Sequence, residues 1–154
     1  MLDRLLSIVK RSRGEPEALG QVYRFRAQLK HRKSQSRVIE IKGDQTLGDL
    51  DTVLRTTFDH DLSDHLSQFF PGQAWQSRGY GAIDPFRAGP GAARKIGALR
   101  LHPGDTLDYV YDFGDDIQHV LTLEAIVDPE PDARYPRVVG RSQPAPRKKK
   151  TAQR

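Results

Sequence analysis

TLDYVYDF (residues 106–113) followed by GDD (114–116) and IQHVLTLEAIV (117–127) is the stretch on which the fold turns. In the first run Leu107, Tyr109, Tyr111 and Phe113 alternate with polar or smaller residues, which is the period of a half-buried strand. In the second run His119, Leu121 and Leu123 share one face, and Glu124, an odd number of positions from His119, points the other way. Between the runs, Gly114-Asp115 reads as the turn of a β-hairpin. A glycine at such a reversal, two residues after Asp112, predicts φ > 0 at Gly114.

Upstream, QVYRFRAQLK (21–30) alternates equally cleanly. Tyr23, Phe25, Ala27 and Leu29 face one way, and Arg24, Arg26, Gln28 and Lys30 the other. A polar turn over His31–Ser36 and a strand over Arg37–Lys42 complete a second hairpin. The period then changes: Leu47, Leu50, Leu54 and Phe58 lie on one helical face, and Thr46 with Asp49 forms an N-terminal capping box. A second helix is predicted over Leu62–Phe70, with Leu62, Leu66, Phe69 and Phe70 as its apolar side and Pro71-Gly72 as its stop. Ala74–Gly81 reads as a strand around Trp75 and Tyr80, residues 88–92 as a loop, and Arg94–Leu101 as a short helix. Runs of strands separated by runs of helices predict the α+β class. The expected architecture is a mostly antiparallel sheet built from two hairpins, with two to three helices on one face.

The chain of 154 residues is 36% hydrophobic and 29% charged, polar but within globular range. It contains no cysteine, which excludes disulfides, thiolate metal sites and a cysteine nucleophile. No apolar run approaches the roughly 20 residues of a membrane span, and a cytoplasmic location is expected. Charge is unevenly distributed: residues 1–42 carry +7, residues 43–140 carry −8 and residues 141–154 carry +6, for a net +5. Three regions follow. Residues 1–20 contain an amphipathic helix (Leu2, Leu5, Leu6, Val9) and a linker, residues 21–140 the folded domain, and residues 141–154 a basic tail predicted to be disordered.

YVYDFGDDIQHVLTLE (109–124) resembles the signature of the plasmid pRiA4b ORF-3-like family, a Tyr-x-Tyr-Asp-Phe-Gly-Asp stretch followed by a His and then a Glu. Tyr23–Leu29, Thr46–Phe58, His65-Leu66 with Phe69, and Tyr135-Pro136 with Gly140 agree with it in order and spacing. The resemblance covers about residues 21–140 and implies a prokaryotic α+β domain found on plasmids and as a passenger of insertion elements. It implies no activity. Members usually carry an aromatic where Ile117 stands here, and a Cys- and acid-containing stretch where Arg137-Val138-Val139 stands.

The one dense titratable cluster is Asp112, Asp115, Asp116, His119 and Glu124. Asp112, Asp115, His119 and, from the neighbouring segment, His65 are the candidate binding residues; the competing reading has the aspartates bracing the turn backbone. A kinase reading of Asp112-Phe113-Gly114 fails because the Gly-rich loop, paired Lys and catalytic loop are missing. No HExxH, EF-hand or GxSxG pattern occurs, so no metal, cofactor or catalytic residue is assigned. Arg147, Lys148, Lys149 and Lys150 are the candidate contacts to nucleic-acid phosphates. The leading expectation is a non-enzymatic interaction module with a protein partner, accessory to plasmid or mobile-element DNA. A nucleic-acid-binding protein and an enzyme centred on the DFGD hairpin are the alternatives.

Overall fold

A computed structural model of the chain describes residues 18–142. The predicted amphipathic helix and the Arg147–Lys150 run lie outside the described residues. Seven strands form a single antiparallel sheet: β1 (Val22–Leu29), β2 (Arg32–Lys42), β3 (Ser67–Pro71), β4 (Ala82–Ile83), β5 (Thr106–Tyr111), β6 (Ile117–Val127) and β7 (Arg137–Ser142). Their order is β4-β3-β5-β6-β1-β2-β7. One α-helix, α1 (Leu47–Thr57), and two 3-10 turns, Ala18–Gly20 and Ile96–Leu99, complete the regular structure.

This corrects the expected class. The molecule is mostly β, and among the described residues it has one α-helix rather than two or three. The predicted second helix is a loop followed by β3. Leu62 and Leu66 are exposed, whereas the adjacent residues Phe69 and Phe70 are both buried, on opposite faces of the strand. A segment with both faces covered presents its apolar residues side by side, and chance spacing then imitates a helical stripe. Tyr109 packs against Phe69, while Val110 clusters with Phe70 and Ala74 under the turn that carries Trp75. The strand expected over Ala74–Gly81 is therefore a turn, with Trp75 at φ 65°.

Both predicted hairpins are present, but the first reverses at Lys30-His31 and β2 already begins at Arg32, so most of the polar turn expected over His31–Ser36 is strand paired with β1. β1 pairs with β2 and with β6, and β5 pairs with β6 in a register that sets Tyr109 opposite His119 and Tyr111 opposite Ile117. A bulge accommodates Glu124 opposite the Arg24–Phe25 step, so Leu121, Leu123 and Ile126 all meet the core. β7, at the sheet edge beside β2, was not anticipated from the Pro-rich sequence after Pro129, and it extends two residues past Gly140. α1 begins with the predicted capping box: Asp49 N donates to Thr46 Oγ1 (3.2 Å) and Thr46 N to Asp49 Oδ2 (3.0 Å). Its Leu47, Leu50 and Leu54 pack on Phe25, Ile39 and Leu121 in the main core.

Candidate functional site

Three connections meet at one end of the sheet: the β1–β2 turn at Lys30-His31, the α1–β3 loop over residues 58–66, and the β5–β6 turn over residues 112–116. The last carries the DFGD motif. Its reversal is made by Asp112 (φ 65°) and Asp116 (φ 53°); Gly114 has no positive φ, contrary to expectation. Asp112 Oδ1 accepts from Gly114 N (3.0 Å) and Asp115 N (3.2 Å), an aspartate bracing its own turn. Because the chain turns at Asp112, Phe113 leaves the face of Tyr109 and Tyr111 and packs edge-on against Trp75 on the other side of the sheet. Trp75 Nε1 donates to Asp116 Oδ1 (2.9 Å), and Gln118 Nε2 donates to the same carboxylate. These hydrogen bonds hold the Asp116 carboxyl below its usual range.

The α1–β3 loop is anchored from the interior. Arg55 and Asp51, one helical turn apart, are both fully buried; Arg55 Nε lies 3.0 Å from Asp51 Oδ1. Asp51 Oδ1 also accepts from Ser67 Oγ (2.6 Å) and Tyr109 Oη (2.5 Å). The remaining nitrogens of Arg55 donate to the carbonyls of Asp61, Asp64 and His65. Tyr111 Oη also donates to Asp61 O (3.2 Å). A loop of polar sequence is thereby tied to the core through one guanidinium, which suits Arg because its planar fork spreads five donors over several acceptors.

The structure divides the residues singled out in sequence. His65 Nδ1 lies 3.4 Å from Asp112 Oδ2, both on the outer side of Tyr111, where His65 is exposed. His119 is fully buried and does not join them. It meets His60, a residue that no motif or spacing in the sequence singles out. The two Nε2 atoms are 2.9 Å apart, and the His60 ring stacks on Tyr111 with centroids 4.3 Å apart. Asp115 is exposed and lines a cleft of about 420 Å³ with Leu29, His31, Arg32, His60, Asp116, Ile117 and Gln118.

The proton positions in the histidine pair follow from their partners. His119 Nδ1 is 3.1 Å from the Tyr109 carbonyl oxygen, which can only accept, so Nδ1 carries the hydrogen. His119 Nε2 is then a lone pair, and His60 Nε2–H donates to it. That leaves His60 Nδ1 as an acceptor in the neutral ring, with no hydrogen-bond partner among the described residues. Burial, helped by the neighbouring His60, pushes His119 down to about 3. Burial, with the Arg55 guanidinium second, also lowers His60. Both rings are thus neutral at pH 7.

The cations of the exposed strand face are neutralised locally. Arg24 pairs with Glu40 (2.9 Å), Arg26 with Glu124 (2.8 Å) and Lys30 with Asp108 (2.6 Å). Among the described residues no group of three or more His, Asp or Glu side chains could hold a metal ion, and no helix is long and apolar enough to cross a membrane.

The family model for plasmid pRiA4b ORF-3-like proteins matches residues 21–149, which takes in the whole sheet and the DFGD turn. The chain belongs to this family. No curated protein matches it. Among solved structures, this pRiA4b ORF-3-like chain is similar to a protein of unknown function from Methanosarcina mazei Go1. The TM-score is 0.63 at 21% identity, over 79% of this chain and 68% of that one. That likeness carries the fold, not an activity.

Proposed function

We propose that the domain is a non-enzymatic interaction module that receives a polar group of its ligand in the cleft between the β1–β2 and β5–β6 turns. The observation that carries this reading is the state of His60: its Nε2–H is committed to a buried histidine, and its Nδ1 is an uncommitted acceptor on a residue lining the cleft. A group placed there replaces solvent at an acceptor that no protein group among the described residues occupies, and His119 orients that acceptor before the ligand arrives. The matching ligand group is an O–H or N–H donor. Catalysis is the weaker reading. His119 cannot serve as a proton relay without losing its bond to Tyr109 O, and the Asp116 carboxylate is already occupied by Trp75 and Gln118. The ion pairs of β1 likewise weigh against a nucleic-acid surface on that strand face, because phosphates would have to displace Glu40, Glu124 and Asp108.

The test is an NMR screen of small hydroxyl- and amine-bearing fragments against protein labelled with nitrogen-15. Hits should shift His60 Nδ1 together with the amides of Ile117 and Gln118, and they should be lost in His60→Phe. Hits clustering elsewhere, or a spectrum showing His60 protonated on Nδ1 and bare on Nε2, would sink the reading.

A further inference from the structure

On the other side of the α1–β3 loop, Phe86 is 87% exposed, far more than any other large apolar side chain among the described residues. Its backbone is held in place. Asp84 Oδ1 accepts from Phe86 N (2.9 Å) and Ala88 N (3.0 Å), while Asp84 N donates to Ala88 O, closing the tip of the loop. Arg87 clamps this loop to its surroundings: Nε donates to Thr52 Oγ1 on α1 (2.7 Å), and Nη1 to the carbonyls of Leu62 (3.0 Å) and Pro85. The Phe86 loop and the α1–β3 loop therefore abut. On the second loop Leu62 and Leu66 are 44% and 40% exposed, beside two exposed carboxylates: Asp61, whose Oδ1 accepts from Ser63 N, and Asp64, whose Oδ1 accepts from His65 N.

We propose that this surface docks a basic amphipathic segment of a protein partner, with an apolar side chain covering Phe86 and Leu62 and Lys or Arg reaching Asp61 and Asp64. An aromatic whose backbone is already ordered binds without the entropic cost of arranging a loop, which is the character of an interface anchor. Charge selects the occupant. The exposed aspartates repel a second copy of the same surface and an anionic lipid surface alike, and they attract cations. The site is separate from the histidine cleft, so neither reading depends on the other.

The experiment measures fluorescence anisotropy of a labelled amphipathic peptide of leucine and lysine against the full chain, with a leucine–glutamate peptide of the same pattern as control. Phe86→Ser should weaken binding of the Leu–Lys peptide at least tenfold while leaving the melting temperature unchanged, and Phe86→Trp should preserve binding. Affinity should fall as salt is raised, and the Leu–Glu peptide should show no binding that depends on Phe86. Equal affinity of the wild type and Phe86→Ser would overturn the proposal. So would sedimentation showing that Phe86→Ser dissociates a dimer, since the surface would then be a contact between copies.

Discussion

The protein buries two polar clusters a few residues apart, and they differ in how complete they are. In the first, the Asp51 carboxylate takes hydrogen bonds from Arg55, Ser67 and Tyr109, and the rest of the Arg55 guanidinium is spent on loop carbonyls and the Ser67 hydroxyl. Burial and the adjacent carboxylate raise the Tyr109 hydroxyl well above its ordinary range, so it remains a donor. Every strong donor and acceptor there is matched, and the cluster has nothing to offer a ligand. In the second cluster the chain of bonds runs from the Tyr109 carbonyl through His119 to His60 and stops at an open acceptor. A closed network organises, whereas one that ends at a cleft is available to bind. The two meet at Tyr109, whose side chain belongs to the first and whose carbonyl belongs to the second.

The largest effect expected is in the closed cluster. Arg55→Met strips the buried Asp51 of its hydrogen-bonded cation, leaving among the described residues only Arg87 Nε at 4.0 Å from Oδ2, and should cost about 3–5 kcal/mol in urea denaturation. The informative experiment adds Asp51→Leu. Replacing a buried ion pair with apolar residues is often neutral, but here the carbonyls of Asp61, Asp64 and His65 also lose their donor, and Ser67 and Tyr109 lose their acceptor. The double variant should therefore recover only part of the loss. Full recovery would show that Arg55 does not anchor the α1–β3 loop.

The open cluster should reveal itself through pH. His119 titrates at about 3 in the folded protein and near 6.5 when unfolded. The unfolded chain therefore holds the extra proton throughout that interval. The contribution of His119 is fully present above pH 6.5 and is lost as pH falls towards 3, at about 1.4 kcal/mol per pH unit within the window. His60, also lowered, acts in the same direction. Glu40, Asp61 and Asp116 are lowered too, but as carboxylates their contribution is present above about pH 4.5 and is lost only below it. Between pH 6.5 and 4.5 the slope belongs to histidine, and His119→Leu should flatten it. An unchanged slope in that variant would mean that His119 is not held neutral.

The same contrast explains what could be read in the sequence. The two hairpins, the capping box at Thr46 and the inward face of His119 follow from local periodicity, which the sheet and helix preserve. Asp51 and Arg55 carried a visible signal, an acid and a base four apart on a helix, but that spacing usually marks an exposed pair. Their burial depends on Ser67 and Tyr109 arriving from β3 and β5. His60 was hidden for a similar reason. Its partner lies 59 residues away on β6 and is brought to it by the loop that Arg55 holds. The missing helix was a failure of period: Phe69 and Phe70 face different clusters, and only the fold discloses that the second face is covered.

The smallest effects concern the turn, where the sequence put the strained backbone at Gly114 and the structure puts it at Asp112. An added Cβ at Gly114 would meet only Asp112 Oδ1 at 3.4 Å, an ordinary contact, and Gly114 does not occupy the left-handed region. Gly114→Ala should therefore change stability by no more than about 0.5 kcal/mol. Asp112 holds φ at 65° and its carboxylate accepts two backbone N–H groups. Asp112→Ala loses both bonds and places a side chain that tolerates left-handed backbone poorly, for about 1–2 kcal/mol. Asp112→Asn keeps an acceptor oxygen and a residue at home in that conformation, so it should cost well under 1 kcal/mol. Chemical denaturation of the three variants gives the ranking directly. If Gly114→Ala proves as costly as Asp112→Ala, the reversal is made at the glycine after all, and the bracing role of Asp112 falls with it.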